Sequence, residues 1–339
     1  MRAIPTFGLA ALVAIAVASQ APAQDLSHYS SAPGVVNLDD FFVPPADAGK
    51  LIFYQYNVYY ATNTFRDAGG SKVKELTITG PGGRPVTFDL NVSVEVWTLA
   101  PGVIWSPDWK ILGARYAATA MIPIGNPSIA GSLKGEIGRG LNIDQSSWGL
   151  GDLYVRPLWL QWELDRLDVA TSYGFYAPTG KYKTGANDNV GLGFWGHELS
   201  GMARYQIDAA RTFAAVVAVV GEINNELEGS EVTPGSHVTF TWGLRKDMMD
   251  GWFQLGLLGY DTWQVSDDSG PGAPPRSERV RDSVHAAGVQ IGVPKLGLAV
   301  KYLHEFRAAD RFEGQVVTLF FALPLDSVID RVAGLFDAS

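Results

Sequence analysis

Residues 88–96 read FDLNVSVEV, and apolar and polar side chains alternate without a break along this stretch. The even positions carry Phe, Leu and Val, and the odd positions carry Asp, Asn, Ser and Glu. Side chains of a β-strand point alternately to opposite faces, so the pattern predicts a strand with one apolar and one polar face. The same alternation recurs at 237–245 and, less regularly, at 198–208. We therefore expect β-strands over most of the chain.

Runs of this kind cover most of the chain and number twelve. A tilted strand crosses a bilayer in about 9–11 residues, and bacterial outer-membrane barrels have an even number of strands. The runs lie near residues 50–64, 86–99, 109–122, 150–162, 167–177, 195–208, 212–222, 236–246, 251–263, 283–292, 296–306 and 313–323.

The connections between these runs alternate between long and short. Outer-membrane barrels have short periplasmic turns and long external loops, whereas a soluble β-sandwich has no reason to sort its loops in this way. The predicted fold is therefore all-β, a transmembrane antiparallel up-and-down β-barrel of about twelve strands. The connection at 308–311 is the exception to the loop pattern, because it lies at the outer end but is short. The long connections are 65–85, 123–149, 178–194, 223–235 and 264–282, and the short ones are 165–166, 209–211, 246–250 and 293–295.

The chain begins with the features of an export signal. Met1-Arg2 is followed by an apolar run at 7–18 and by Ala21-Pro22-Ala23, a small-x-small cleavage pattern. We predict a signal peptide at 1–23, an irregular segment at 24–49 that is periplasmic or lumenal, a barrel at 50–323 and a periplasmic helical tail at 324–339. The predicted location is the bacterial outer membrane.

The composition agrees with a protein that faces lipid. Aromatic residues make up 12%, charged residues only 18%, and the chain has 38 Gly and no Cys. An average soluble protein has about 25% charged residues. The net charge of −9 and the lack of a basic stripe argue against nucleic acid as a partner.

Ionisable residues within the predicted strands fall mostly on one face. An Arg or Lys turned to lipid at mid-bilayer costs roughly 2–4 kcal/mol, so this face should line the lumen together with several aromatic residues. The lining is open to two interpretations, a salt-bridge network that fills the lumen or a path for an amphipathic or aromatic solute. The candidates are Asp89, Glu95, Trp97, Arg115, Arg156, Asp168, Tyr176, Glu198, Arg204, Arg245, Trp252, Lys301 and Glu305.

A second set of aromatic residues is predicted to face lipid near the strand ends, where Trp and Tyr favour the membrane interfaces. This set contains Tyr54, Tyr56, Tyr116, Trp159, Tyr173, Phe175, Trp242, Phe253, Tyr302 and Phe321.

Catalytic and cofactor motifs are missing from the sequence. The five His residues form no His-Glu-x-x-His pair, and there is no Gly-x-Ser-x-Gly, dinucleotide or phosphate-loop motif. Residues 187–189 (NDN) could bind a cation in an outer loop, although a plain turn explains them better. We expect no enzyme activity, no metal and no cofactor.

Two stretches resemble a known family. Pro44-Pro45 and Gly49 followed by the strand YQYNVYY at 54–60 form the first stretch. The second contains Pro178, Thr179, Gly180, Asn189, Gly191 and Trp195. Both are similar to the family named for the meta pathway of phenol degradation, also called SphA-like transporters. The resemblance implies a Gram-negative outer-membrane barrel that admits hydrophobic or aromatic growth substrates, and by analogy a plug formed by 25–49.

The leading hypothesis is an outer-membrane channel for hydrophobic or aromatic small molecules. The alternatives are a general diffusion pore for polar solutes, a barrel enzyme, and a structural or adhesive barrel. The expected partners are outer-membrane lipid and lipopolysaccharide, the solute, and the barrel-assembly machinery during insertion.

Overall fold

The computed structural model describes residues 28–29, 34–79, 85–135, 140–184, 186, 189–273 and 280–326. The predicted signal peptide at 1–23 lies outside these residues, and so does most of the predicted helical tail. Of that tail, residues 324–326 are described, and the Asp326 carboxylate accepts hydrogen bonds from the backbone N–H groups of Lys50 and Leu51. In the described part of the chain, no helix is long and apolar enough to cross a membrane.

Strands account for most of the described residues, and short 3-10 turns occur at Ala46–Ala48 and Pro294–Leu296. The strands are β1 (Leu51–Thr62), β2 (Phe65–Arg66), β3 (Glu75–Thr79), β4 (Pro85–Trp105), β5 (Lys110–Ile111), β6 (Ala114–Met121), β7 (Ile124–Gly135), β8 (Gly140–Ser146), β9 (Gly149–Leu150), β10 (Leu153–Leu164), β11 (Leu167–Ala177), β12 (Gly196–Gln206), β13 (Phe213–Asn224), β14 (His237–Met248), β15 (Phe253–Gln264), β16 (Ser283–Val293), β17 (Leu298–Ala309), β18 (Arg311–Phe312) and β19 (Gln315–Pro324).

These strands form a closed antiparallel barrel with a twelve-stranded wall. The first wall strand, β1, pairs with β4 on one side and with the last, β19, on the other, so the sheet has no free edge. Two wall strands are built from consecutive pieces: β6 continues as β7, and β8, β9 and β10 follow one another. The predicted twelve-stranded barrel is confirmed.

Prolines interrupt the ladder where β6 passes into β7. Pro123 has no N–H group to donate, and the backbone N–H of Ile122 donates to the Pro101 carbonyl across the seam at 3.1 Å. Further along the wall, Pro157 lies in a β-bulge of β10 between Val155 and Leu158. The wall formed by β4, β6, β7 and β10 is therefore less regular than the rest.

The outer rim extends further than the sequence predicts. Residues 123–149, predicted to be a long loop, mostly form β7 and β8. At the periplasmic end, β4 also runs to Trp105 instead of ending at 99. The stretch 123–149 is rich in Gly, Ser and Asn, which suggested a loop, but it pairs with the outer half of β4. Beyond the bilayer a strand needs no lipid-facing apolar residues, so the usual signal is absent there.

Short turns lie at one end of the barrel and long connections at the other. The short turns follow β10, β12, β14 and β16, whereas long segments separate β11 from β12, β13 from β14, and β15 from β16. We call the end with long connections the outer end and the other the periplasmic end, following the rule for outer-membrane barrels.

The outer surface of the barrel carries a belt of exposed aliphatic side chains. In β13, for example, Val217 and Val219 are exposed, whereas Val216, Ala218 and Val220 are buried inside. Both faces of this strand are apolar in the sequence because its inner face also packs in a hydrophobic core. An apolar surface on every side of a closed barrel is favourable in contact with lipid and unfavourable in contact with water. The other members of the belt include Leu255, Leu257, Val289, Ile291, Val300 and Leu319.

Three aromatic residues predicted to face lipid lie inside the barrel instead. Tyr54, Tyr56 and Trp159 are buried, with 6%, 6% and 2% of their surfaces exposed. The prediction for them was wrong because alternation separates two faces without saying which one is inside. In this barrel the inner face is also rich in aromatic residues.

Candidate functional site

An irregular segment fills part of the lumen. Its first described residues, His28 and Tyr29, contact Glu222 near the outer end of β13, and it ends at Gly49, just before β1 starts at the periplasmic end. The described residues 28–29 and 34–49 therefore extend along the lumen, with His28 close to the outer end and not in the periplasm. No strand pairs with this described segment, so its backbone groups bond to one another in short turns, such as Phe42 N–H to the Asp39 carbonyl at 3.0 Å, and to side chains of the wall.

Asp39 is the charged centre of this segment. Its carboxylate accepts hydrogen bonds from Arg245, from Arg204 at 3.2 Å and from Gln254 at 2.8 Å. Burial alone would raise the pKa of Asp39, but the nearby charges of Arg245 and Arg204 outweigh it and hold the pKa below its usual value. A third of the side chain is still accessible to solvent within the lumen. Asp39 is therefore ionised and electrostatically tied to the wall.

Wall cations also hold the backbone of the segment. Lys301 donates to the carbonyls of Val35 and Val36 at 3.0 and 2.7 Å. Arg115 donates to the carbonyls of Val43, at 3.1 Å, and of Pro44. Hydrogen bonds to charged donors contribute about 1.5–3 kcal/mol each when buried. These contacts fix the course of a segment whose described residues form no regular element apart from the 3-10 turn Ala46–Ala48.

Apolar side chains of the segment complete the core of the barrel. Leu38 and Phe41 are almost fully buried, and the guanidinium of Arg204 lies 4.4 Å from the ring centre of Phe42. Leu38 packs where a side chain at position 243 would lie, since a Cβ added to Gly243 would be 2.6 Å from Leu38. The segment thus packs against β12 and β14, and it also contacts β10, where Trp159 Nε1 donates to the Phe41 carbonyl at 3.2 Å.

Asp40 is held in a different environment from its neighbour. It accepts hydrogen bonds from Tyr56 at 2.6 Å and from Asn37 at 2.8 Å. Burial raises the pKa of Asp40 to about 6, and the charge of Asp39 adds to burial, while the hydrogen bond from Tyr56 opposes them. Asp40 therefore titrates at mildly acidic pH.

A cavity of about 1380 Å³ lies between the segment and the wall, around the points where Tyr56 and Arg115 bridge the two. Its lining extends from Asn189 and Val190 at the outer end to Gly251 and Pro294 at the periplasmic end. The wall side is formed mainly by inward residues of β1, β4, β6 and β10, including Tyr54, Tyr56, Val58, Tyr60, Val94, Val96, Thr98, Ala100, Thr119, Met121, Tyr154 and Arg156.

Five tyrosines of the wall line this cavity, and the hydroxyl of each is already hydrogen-bonded within the protein. Their ring faces are what remains for contact with a solute, so the surface is aromatic and apolar rather than hydrogen-bonding. The partners are Thr119 for Tyr54 (2.9 Å), Asp40 for Tyr56 (2.6 Å), Glu305 for Tyr60 (3.2 Å), and Glu198 for Tyr154 (2.8 Å) and Tyr176 (3.4 Å).

At the outer end, Asp152 joins the lumenal segment to the loop that carries the family-like motif. Its carboxylate accepts from the backbone N–H groups of Gly180 at 2.9 Å and Leu192 at 2.7 Å, and lies 2.9 Å from His28 Nε2. A Cβ added to Gly180 would lie 2.8 Å from the Gly191 Cα, so the two glycine backbones meet at this carboxylate.

The other motif residues shape the same region. Thr179 accepts a hydrogen bond from the backbone of Leu153 at 3.0 Å. Asn189 bridges the backbone N–H and carbonyl of Lys183, at 2.8 and 3.0 Å. Trp195 is exposed on the outside, and Pro45 begins the 3-10 turn Ala46–Ala48. The motif thus organises an outer loop and its contact with the lumenal segment.

Most of the residues predicted to line the lumen do point inward. Wall-to-wall ion pairs join Arg156 to Glu198 at 3.2 Å and Arg204 to Asp168 at 2.8 Å, as a charge network inside the barrel requires. Several inward cations, among them Arg115, Arg204 and Lys301, also donate hydrogen bonds to the lumenal segment. The inward residues are Arg115, Arg156, Asp168, Tyr176, Glu198, Arg204, Arg245, Lys301 and Glu305.

Four residues predicted to line the lumen are on the outer surface. Asp89 and Glu95 lie on the extended outer half of β4, where the outward face is in water and polar residues belong outside. Trp97 is 51% exposed and contacts Tyr59, with ring centres 4.4 Å apart, and an outward Trp is typical of residues at membrane interfaces. Trp252 lies in a periplasmic turn, where strand alternation does not apply.

Several residues of the site were not predicted from the sequence. Asp39, Asp40 and His28 belong to a segment without periodicity. Asp152, by contrast, is among the ionisable residues that alternation assigns to the inner face, and it does line the cavity. The adjacent acids Asp39-Asp40 beside Pro44-Pro45 were the available signal, since buried basic residues in the barrel need acidic partners. Among the described residues, no group of three or more His, Asp or Glu is arranged to hold a metal.

Comparisons with known proteins agree with this architecture. The crystal structure of an outer membrane channel from Pseudomonas putida F1 is similar, with a TM-score of 0.58 and 14% identity over 85% of this chain and 99% of that one. The translocator domain of the autotransporter NalP from Neisseria meningitidis shares 10% identity over 94% and 97% of the two chains, but its TM-score of 0.41 is too low to support a common fold. No curated protein matches the chain.

The family comparison covers most of the barrel. A family described as "Putative MetA-pathway of phenol degradation" matches residues 62–321. This range takes in all the wall strands except the bulk of the first and the end of the last. The chain belongs to this family, with the fold of an outer-membrane β-barrel.

Proposed function

We propose that this protein is an outer-membrane channel for neutral aromatic and other hydrophobic molecules, with the described residues 28–29 and 34–49 forming a lumenal plug. The single observation that carries the proposal is the cavity beside this segment, where the hydroxyls of the wall tyrosines bond to the protein and their rings form an aromatic lining. A hydrophobic solute gains from such a surface, whereas an ion or a sugar finds few free polar groups.

In this proposal, the plug limits the passage of ions through the barrel. Four basic residues of the wall donate hydrogen bonds to the plug and therefore do not line a water-filled path for ions. They are Arg115, Arg204, Arg245 and Lys301. A solute would move through the remaining space, between the plug and the wall formed by β1, β4, β6 and β10. Small shifts of the plug would widen this route.

The comparisons support the same proposal. The similar Pseudomonas putida protein is described as an outer membrane channel, and the family description refers to phenol degradation. We infer a role in transport and not in catalysis, with outer-membrane lipid, lipopolysaccharide and the barrel-assembly machinery as its surroundings and partners.

Uptake by intact cells tests this function, because lipopolysaccharide slows the entry of hydrophobic solutes that cross simple bilayers freely. A Gram-negative host expressing the protein should take up a radiolabelled neutral aromatic compound several-fold faster than the host with an empty vector. Uptake of a labelled sugar should not change. Equal acceleration of both solutes would indicate a general diffusion pore, and acceleration of neither would reject transport of these classes.

A further inference from the structure

The imidazole of His28 lies in a pocket that encloses it on several sides. It stacks on Tyr176 with ring centres 4.4 Å apart and an interplanar angle of 10°, and the Phe194 ring meets it edge-on at 4.7 Å. The backbone of Gly196 forms one side, since a Cβ there would be 2.7 Å from His28 Nδ1. The pocket therefore fits a flat ring closely.

Two buried carboxylates face the two nitrogens of this ring. Asp152 Oδ2 lies 2.9 Å from Nε2, and Glu222 Oε1 lies 3.5 Å from Nδ1. Glu222 also accepts from the backbone N–H groups of His28 and Tyr29, at 2.6 and 2.9 Å. Buried carboxylates require a cationic or hydrogen-bonding partner. The pocket thus combines an aromatic face with negative charge at opposite edges of the ring.

We propose that this pocket is a binding site for planar nitrogen-containing aromatic cations, such as protonated imidazole or pyridine, and that His28 occupies it as an internal ligand. An aromatic face attracts a flat cation, and the carboxylates accept its N–H groups. Because His28 belongs to the plug, a cation that displaces it would release the outer end of the plug. Only this last consequence depends on the proposed function; binding itself does not.

The titration of His28 agrees with this assignment. Burial lowers its pKa, but the hydrogen bonds and charges of Asp152 and Glu222 outweigh burial, and the pKa is raised. The groups that face the ring are Asp152 before β10, Glu222 in β13 and Tyr176 in β11. The pocket favours the protonated ring over the neutral one.

Emptying the pocket gives a direct binding test. The full-length His28→Ala protein, purified in detergent, is titrated with imidazole at pH 6 by calorimetry. We expect saturable binding to this variant and at least tenfold weaker binding to the wild type, whose own His28 competes from within the chain. Adding Asp152→Asn to His28→Ala should weaken binding by about tenfold or more, as the loss of a charge-assisted hydrogen bond implies. Toluene, a neutral ring, should not bind there.

The matched control is His304→Ala, which removes an exposed His from the outside of β17 and should behave as the wild type. Equal imidazole binding by the wild type and His28→Ala, or binding that ignores Asp152→Asn, would overturn the proposal.

A second measurement leaves His28 in place, in case its removal prevents folding. The chain has no Cys, so Tyr29→Cys carries a unique thiol beside the pocket. Imidazole should increase the rate of its modification by a water-soluble maleimide about tenfold, and an unchanged rate would count against the site. If imidazole binds but cells show no aromatic uptake, the pocket stands and the proposed transport function fails.

Discussion

Replacing Asp39 by Asn should weaken the attachment of the plug while preserving its shape. The change removes the charge that Arg204, Arg245 and Gln254 contact. A hydrogen bond to a charged group contributes about 1.5–3 kcal/mol. Asn keeps one acceptor oxygen, a third of the side chain is accessible, and the arginines retain Asp168 and Asp247 as partners. These factors reduce the effect of losing two arginine contacts. We therefore expect the free energy of plug attachment to fall by about 2–3 kcal/mol.

The consequence is measurable as ion conductance. A loss of about 2–3 kcal/mol shifts the equilibrium between attached and detached plug by roughly 30- to 160-fold. In planar bilayers, the wild type should be closed to ions most of the time, and the open fraction of Asp39→Asn should rise by up to that factor. The matched control is Asp165→Asn, the same change in an exposed periplasmic turn. A folded Asp39→Asn barrel with the open fraction of the wild type would refute the role assigned to this carboxylate.

Three further predictions concern pH, lipid contact and the outer loop. The pKa of Asp40 is raised to about 6, so its contribution to plug attachment is complete below the pKa of a free Asp, about 3.9, and is lost as the pH rises through about 6. The pKa of His28 is also raised, and its contribution is lost in the same direction at higher pH. The open fraction should therefore increase from pH 4.5 to pH 8, and Asp40→Asn should remove the step near pH 6. Val219→Arg, on the lipid face, should lower the free energy of unfolding by roughly 2–4 kcal/mol in urea titrations in lipid vesicles, whereas Glu95→Arg, on the water-exposed rim, should change it by less than about 0.5 kcal/mol. Gly180→Ala should speed trypsin cleavage of the outer loop several-fold, because the added Cβ would lie 2.7 Å from the Gly151 backbone; an unchanged cleavage rate would contradict the close packing there.

The sequence contained enough information to predict the barrel, since alternation and the sorting of loop lengths are direct consequences of a closed sheet in a bilayer. It did not contain the orientation of every face. In β4 the polar residues Asp89 and Glu95 face outward because this part of the strand extends beyond the bilayer. In β1 Tyr54 and Tyr56 face inward, where they border the cavity. Alternation is the same in either orientation.

The attachment of the plug was beyond prediction for a different reason. Apart from the 3-10 turn Ala46–Ala48, the described residues 28–29 and 34–49 form no helix or strand, so no periodic pattern marks their position. Their contacts join parts of the chain far apart in sequence, such as Asp39 with Arg204 and Arg245. The charges predicted to line the lumen were mostly placed on the correct face, but the partner that some of them share was visible only in the folded structure.

The most direct test of the account is whether the cavity is the route of the solute. Thr98 lines the cavity, and its neighbour Leu99 is exposed on the outside of the same strand. Thr98→Trp should reduce uptake of a labelled neutral aromatic compound by intact cells to the level of the empty vector, whereas Leu99→Trp should leave it at the wild-type rate. Wild-type uptake by a correctly inserted Thr98→Trp protein would contradict the proposed path through the lumen.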